Sequence, residues 1–141
     1  FDGELKPDRM FLNKTPYNKA DIEDLIHYRN PLIHSSVMFK INSIIKVGLY
    51  NESMFTDQDL ELWNRCIKKN IIINNIQEPL IYLRVTDRLH RRSTWSAVKR
   101  QIIIRYSYNT SSLKLNFLKL ASIIIRLMPF FIRKWAYRNF R

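Results

Sequence analysis

"PLIHSSVMFKI", residues 31–41, decides the fold class. Ile33, Val37 and Phe39 fall on one face of an extended chain, and Leu32 and Met38 on the other. A strand with apolar groups on both faces belongs inside a sheet that is covered on two sides. Upstream, "TPYNKADIEDLIHYRN" (15–30) places Ile22, Leu25 and Ile26 at helical spacing behind Asp21 as an N-cap, and Asn30-Pro31 stops the helix. Downstream, "INSIIKVGLYNE" (41–52) reads as a short helix broken at Gly48. In "FTDQDLELWNRC" (55–66) Thr56 can cap a helix whose Leu60 and Trp63, with Ile67 beyond, form an apolar stripe widened by Leu62 and Cys66. "NIIINNIQEPLIYLRV" (70–85) is rich in β-branched and aromatic residues around Pro79 and predicts two short strands. Strand, helix and strand in that order predict an α/β layer.

Charge divides the chain. Residues 1–83 carry ten Lys or Arg against eleven Asp or Glu, a balance of −1, whereas residues 84–141 carry fourteen against Asp87 alone, a balance of +13. Apolar residues in the basic part recur every three or four positions, from Trp95 to Tyr108 and from Leu113 to Phe140. Leu118, Ile125, Phe131 and Trp135 alternate there with Lys119, Arg126, Arg133 and Arg138. The pattern predicts two or three basic amphipathic helices, the last interrupted near Pro129. The uncharged runs, Tyr106 to Leu113 and Leu120 to Ile125, fall far short of the roughly 18 residues of a spanning helix, so the segment can lie on a membrane without crossing it.

Composition excludes several function classes. The two glycines, Gly3 and Gly48, cannot build a dinucleotide fingerprint or a P-loop. Cys66 is the one cysteine, which removes an internal disulfide and a metal knuckle and favours a reducing, cytoplasmic setting. The chain opens on Phe1 with no signal-peptide pattern, and we expect its N-terminus to be cut from a longer protein.

Asp57, Asp59 and Glu61 stand at the start of a predicted helix. Asp59, three residues after Thr56, forms a capping-box-like pair, and first-turn acids complement the helix dipole. An aspartate held there is also rigidly aimed, as a general base for a substrate hydroxyl must be; the two roles are compatible. Trp63 suits the core as well as a binding surface. His34 has no ligand-type neighbours at metal spacing. His27, on a predicted helix, and His90, in "DRLHRRS", read as solvated.

These stretches share their order with a known family. "RNPLIHSSVMFKINSIIKVGLYNE", "DQDLELWNRCIKKN" and "IINNIQEPLIYLRV" resemble the second half of bacterial family-2 glycosyltransferases, the GT-A fold enzymes that build capsule, exopolysaccharide and lipopolysaccharide. The basic tail "RLMPFFIRKWAYRNFR" resembles that of one branch. The resemblance implies an α/β fold, with residues 1–94 as the C-terminal, acceptor-side part of a GT-A domain and 95–141 as a basic amphipathic helical tail. It puts Asp59 at the catalytic base of inverting members. Gln58 stands where the family has the first acid of the pair, and Gly48-Leu49 where it has two glycines; Leu62, Trp63 and Arg65 match its Asp-Leu-Trp-x-Arg run. Arg29, Asn30 and His34 fall beside the acceptor and diphosphate region. We therefore take Arg29, Asn30, His34, Asp57, Trp63 and Arg65 as substrate-binding candidates.

A nucleotide-sugar donor, a glycan or lipid-linked acceptor, and a Mg2+ or Mn2+ ion follow from the same resemblance. The ion's ligands lie mostly in the family's N-terminal half, which has no counterpart here. No residue of this chain is taken as a metal ligand, and the 141 residues alone are expected to transfer little or no sugar. The expected location is cytoplasmic, peripheral on the inner face of the cytoplasmic membrane. Two other classes compete: a basic helical nucleic-acid-binding module, for which the tail is too aliphatic and carries no known signature, and a noncatalytic fragment that binds a partner.

Overall fold

A computed structural model describes residues 12, 14–82, 95–129, 131, 132 and 135. Five helices carry the fold: α1 (Lys19–Leu25), α2 (Ile41–Lys46), α3 (Gln58–Lys68), α4 (Trp95–Tyr106) and α5 (Leu113–Leu127). Among the described residues there is no strand. Where a strand was expected over 31–41, residues 31–40 form a coil around a single 3-10 turn, His34–Ser36, with Met38 and Phe39 exposed, and Ile41 already begins α2. The reason is local. The Ser36 amide and hydroxyl both donate to the Ile33 carbonyl at 2.8 Å, and no strand among the described residues competes for it. Residues 71–82 run without regular structure where the two strands were expected, and residues 83–85 lie outside the described set, as does His90.

The helices follow their apolar spacing. Ile22 and Ile26 of the first helical region, Ile44 and Val47 at α2, and Leu60, Leu62, Trp63, Cys66 and Ile67 of α3 form one buried cluster, joined by Ile104 of α4. The caps differ from expectation. Asn18, not Asp21, caps α1, its side chain accepting from the Asp21 amide at 2.9 Å. Asp57, not Thr56, is the N-cap of α3; its φ is +62° and its side chain makes no cap hydrogen bond.

A short helix leaves C-terminal carbonyls without partners, and long polar side chains from elsewhere in the chain satisfy them. The Arg105 guanidinium donates to the Ile26 carbonyl after α1 at 3.2 Å. Lys119 Nζ donates to the Tyr108 carbonyl after α4 at 2.9 Å and sits 5.0 Å from the centre of the Tyr106 ring. Asn64 of α3 donates to the Ile104 carbonyl at 2.8 Å. Arg105 and Lys119 are therefore buried. This corrects the expectation that Lys119 lies on an outward basic face. Burial, then the nearby Arg105 charge, lowers the Lys119 pKa.

His27 also departs from its expected exposure. It is buried and stacked on Tyr108, with ring centres 4.8 Å apart and planes 9° from parallel. The aromatic cover arrives from a residue far along the chain, so the sequence around His27 gave no sign of it.

Asn75 ties the coil to the body of the fold. Its amide donates to the Tyr17 carbonyl at 3.3 Å, and its side-chain nitrogen donates to the carbonyls of Pro16 at 2.6 Å and Pro31 at 3.3 Å.

Candidate acceptor site at the start of α3

The site gathers around the first turn of α3. Asn30 Nδ2 donates to Asp59 Oδ2 at 2.6 Å, and Asn30 Oδ1 accepts from the Leu32 amide at 3.2 Å. The second bond fixes which way the Asn30 amide faces, so the first holds one oxygen of Asp59 in place. Asp59 Oδ1 has no hydrogen-bond partner among the described residues. Asp59 is partly exposed. Its carboxylate therefore does not turn back to complete a capping box; it bonds across to the Asn30 side chain.

Tyr50 completes the neighbourhood. Its ring meets His34 edge to face at 5.7 Å and 80°. Burial, then the charge of Asp59, then Cys66, pushes the Tyr50 phenol pKa upward. The motif Gly48-Leu49-Tyr50 was the signal for this residue, which our candidate set did not include.

The turn that delivers Tyr50 is built on Arg65. Gly48 and Leu49 both take positive φ, +91° and +58°, a region that favours glycine. Their strain is held by the Arg65 guanidinium, which donates to the carbonyls of Val47 and Leu49. Glu61 accepts from Arg65 Nε at 2.7 Å and from Arg65 Nη2 at 2.8 Å. The planar fork needs that two-pronged carboxylate to stay aligned. Arg65 thus positions the turn from beneath. Replacing it with alanine is expected to lower stability by about 2 kcal/mol, because two carbonyls and a carboxylate lose charged donors; a urea melt of the chain with and without the change measures it.

Of the remaining candidates, Trp63 and Arg29 are placed apart from this cluster and Asp57 lies at its edge. Trp63 is 2% exposed and packs in the core, its indole Nε1 without a partner among the described residues. Asp57 flanks the site at the N-cap of α3, accepting from the Thr56 hydroxyl at 3.4 Å. Arg29 lines a groove with Lys14, Thr15, Asp21, Asp24 and Tyr28 that does not include Asp59. The candidates brought together are Asn30, His34 and Asp59.

Among the described residues no three His, Cys, Asp or Glu side chains come together in a way that could hold a metal ion.

Two curated proteins are similar to this chain. The amylovoran biosynthesis glycosyltransferase AmsE of Erwinia amylovora is 24% identical over 136 residues, covering 92% of this chain and 50% of that protein. An uncharacterized glycosyltransferase of Methanocaldococcus jannaschii is 29% identical over 107 residues, covering 76% of this chain and 32% of that protein. The chain thus spans half the length of the first and about a third of the second. No family model matches the chain, and no solved structure does. By these two likenesses the chain is related, at low identity, to glycosyltransferases, one of them named for the biosynthesis of amylovoran.

Proposed function

We propose that the chain is the acceptor-side part of an inverting, family-2 glycosyltransferase of GT-A fold that extends a bacterial surface polysaccharide. The observation that carries this reading is the Asn30 to Asp59 hydrogen bond of 2.6 Å across 29 residues of sequence. It joins the Arg-Asn-Pro motif to the acidic motif that opens α3. The likeness to two glycosyltransferases supports the transferase class independently of that bond.

In this reading an acceptor hydroxyl docks beside Tyr50 and gives its proton to Asp59 Oδ1. The hydroxyl oxygen attacks the anomeric carbon of a nucleotide-sugar from the face opposite the diphosphate. The new carbon–oxygen bond forms as the bond to the diphosphate breaks, and the nucleoside diphosphate leaves with the electron pair. Asn30 orients the base, and Arg65 sets the turn that places Tyr50. Asp57 and His34 border the acceptor. The donor-binding part lies outside this chain, so these 141 residues alone transfer little sugar.

The test is made in the complete transferase, assayed for nucleoside diphosphate release from a panel of nucleotide-sugars and for the anomeric configuration of the product. Asn30→Ala is expected to lower kcat about tenfold through a misaimed base and to leave the donor KM unchanged. An equal fall in stability and donor binding with kcat preserved would remove Asn30 from the reaction centre. A product of retained configuration would overturn the inverting mechanism.

A further inference from the structure

The outer face of α5 has no role in the site. Leu113, Phe117, Leu120, Ile124 and Leu127 are all exposed, from 41% at Ile124 to 86% at Leu113, and Phe131 continues the series beyond the helix end. At 100° per residue the five residues of α5 fall within about 80° of the helix circumference. The inward face of the same helix is a different one, carrying Lys119 and Ile123. An apolar stripe of this regularity on a solvent face requires a cover.

The charge around it chooses the cover. Among the described residues from 95 onward, Lys99, Arg100, Lys114 and Arg126 are the cations that are not buried, and residues 95–141 contain no Asp or Glu. Self-association of α5 with α5 would bring Lys114 and Arg126 of each helix together with no acidic side chain on either helix to pair them. A polyanion such as nucleic acid would satisfy the charge and leave the stripe in water. An anionic lipid surface satisfies both, taking the apolar face at the acyl boundary and the cations at the headgroups. No described helix is long and apolar enough to cross a membrane.

We infer that α5 docks flat on an anionic lipid surface through Leu113, Phe117, Leu120, Ile124 and Leu127. This inference does not rest on the transferase reading, and either can fail alone. The test is flotation of the chain with phosphatidylcholine vesicles containing phosphatidylglycerol, beside vesicles of phosphatidylcholine only. Binding to the anionic vesicles is expected, weakened by salt, with far less on the neutral ones. Because the stripe is exposed, Phe117→Ser and Leu120→Ser should retain the helical circular dichroism signal while each lowers vesicle partition about tenfold. Three results would overturn the inference: no flotation with anionic vesicles, flotation unaffected by both substitutions, or a stripe-dependent dimer in sedimentation that excludes vesicles. Oligonucleotide binding that the two substitutions leave intact, without flotation, would assign the cations to nucleic acid instead.

Discussion

Asp59→Asn in the complete transferase is expected to reduce sugar transfer by about 10²- to 10⁴-fold, the range a positioned general base supplies. The substitution keeps the shape of the side chain and an oxygen able to accept from Asn30 Nδ2, now 2.6 Å from Oδ2. It removes the ability to take a proton from the acceptor. Melting temperature and donor binding should therefore hold while turnover falls. Asp57→Asn makes a sharp control, because the N-cap at φ +62° suits asparagine as well as aspartate. Its side chain is two residues from the Asn30 contact, and its loss should change turnover far less. Transfer left intact in Asp59→Asn would withdraw the base assignment, and equal losses in both variants would point to a shared acidic surface in place of one aimed carboxylate.

The second large effect is on stability and is set by pH. His27 is held at a pKa of about 4, below its ordinary 6.5, by burial first, then by the Lys119 charge, with Asp24 opposing and Arg105 adding to the decrease. The folded state thus prefers the neutral ring, and the unfolded state binds the extra proton at higher pH. Stability from this group is fully present above pH 6.5 and is lost as pH falls toward 4, by about 3 kcal/mol across the window. Urea melts between pH 7 and pH 4 measure the slope. In His27→Gln the part of the slope due to the ring should disappear. A slope unchanged by that substitution would assign the acid sensitivity to the carboxylates.

The helices were legible because their apolar residues repeat at the period of a helix: Leu60, Trp63 and Ile67 are buried as their spacing predicts, and α5 begins at Leu113 as expected. The strands were not. A run such as Ile71-Ile72-Ile73 records a preference for extended backbone, but a ladder also needs a neighbour to bond with, and that lies outside the local pattern. The α/β fold therefore remains part of the proposal. Buried polar groups were equally hidden. His27, Arg105 and Lys119 look like surface residues by type, and only the arrival of Tyr108 and of uncapped carbonyls draws them inward. At the site, spacing alone gave a helix start. The pairing of Asn30 with Asp59 was suggested by the order of motifs shared with a family, and Tyr50 was carried by the Gly48 turn without being singled out.

One corner of the molecule is intolerant in an unusual direction. Exchanging Asn75 for aspartate alters a single heavy atom, yet it would aim a negative oxygen at the backbone oxygens of Pro16 and Pro31 where an amide nitrogen now stands. The nearest relative in size and shape is thus among the least compatible substitutes. Two distant stretches of backbone would be driven apart by a change that occupies almost the same volume, so drift at position 75 is limited by the sign of a dipole and hardly at all by bulk.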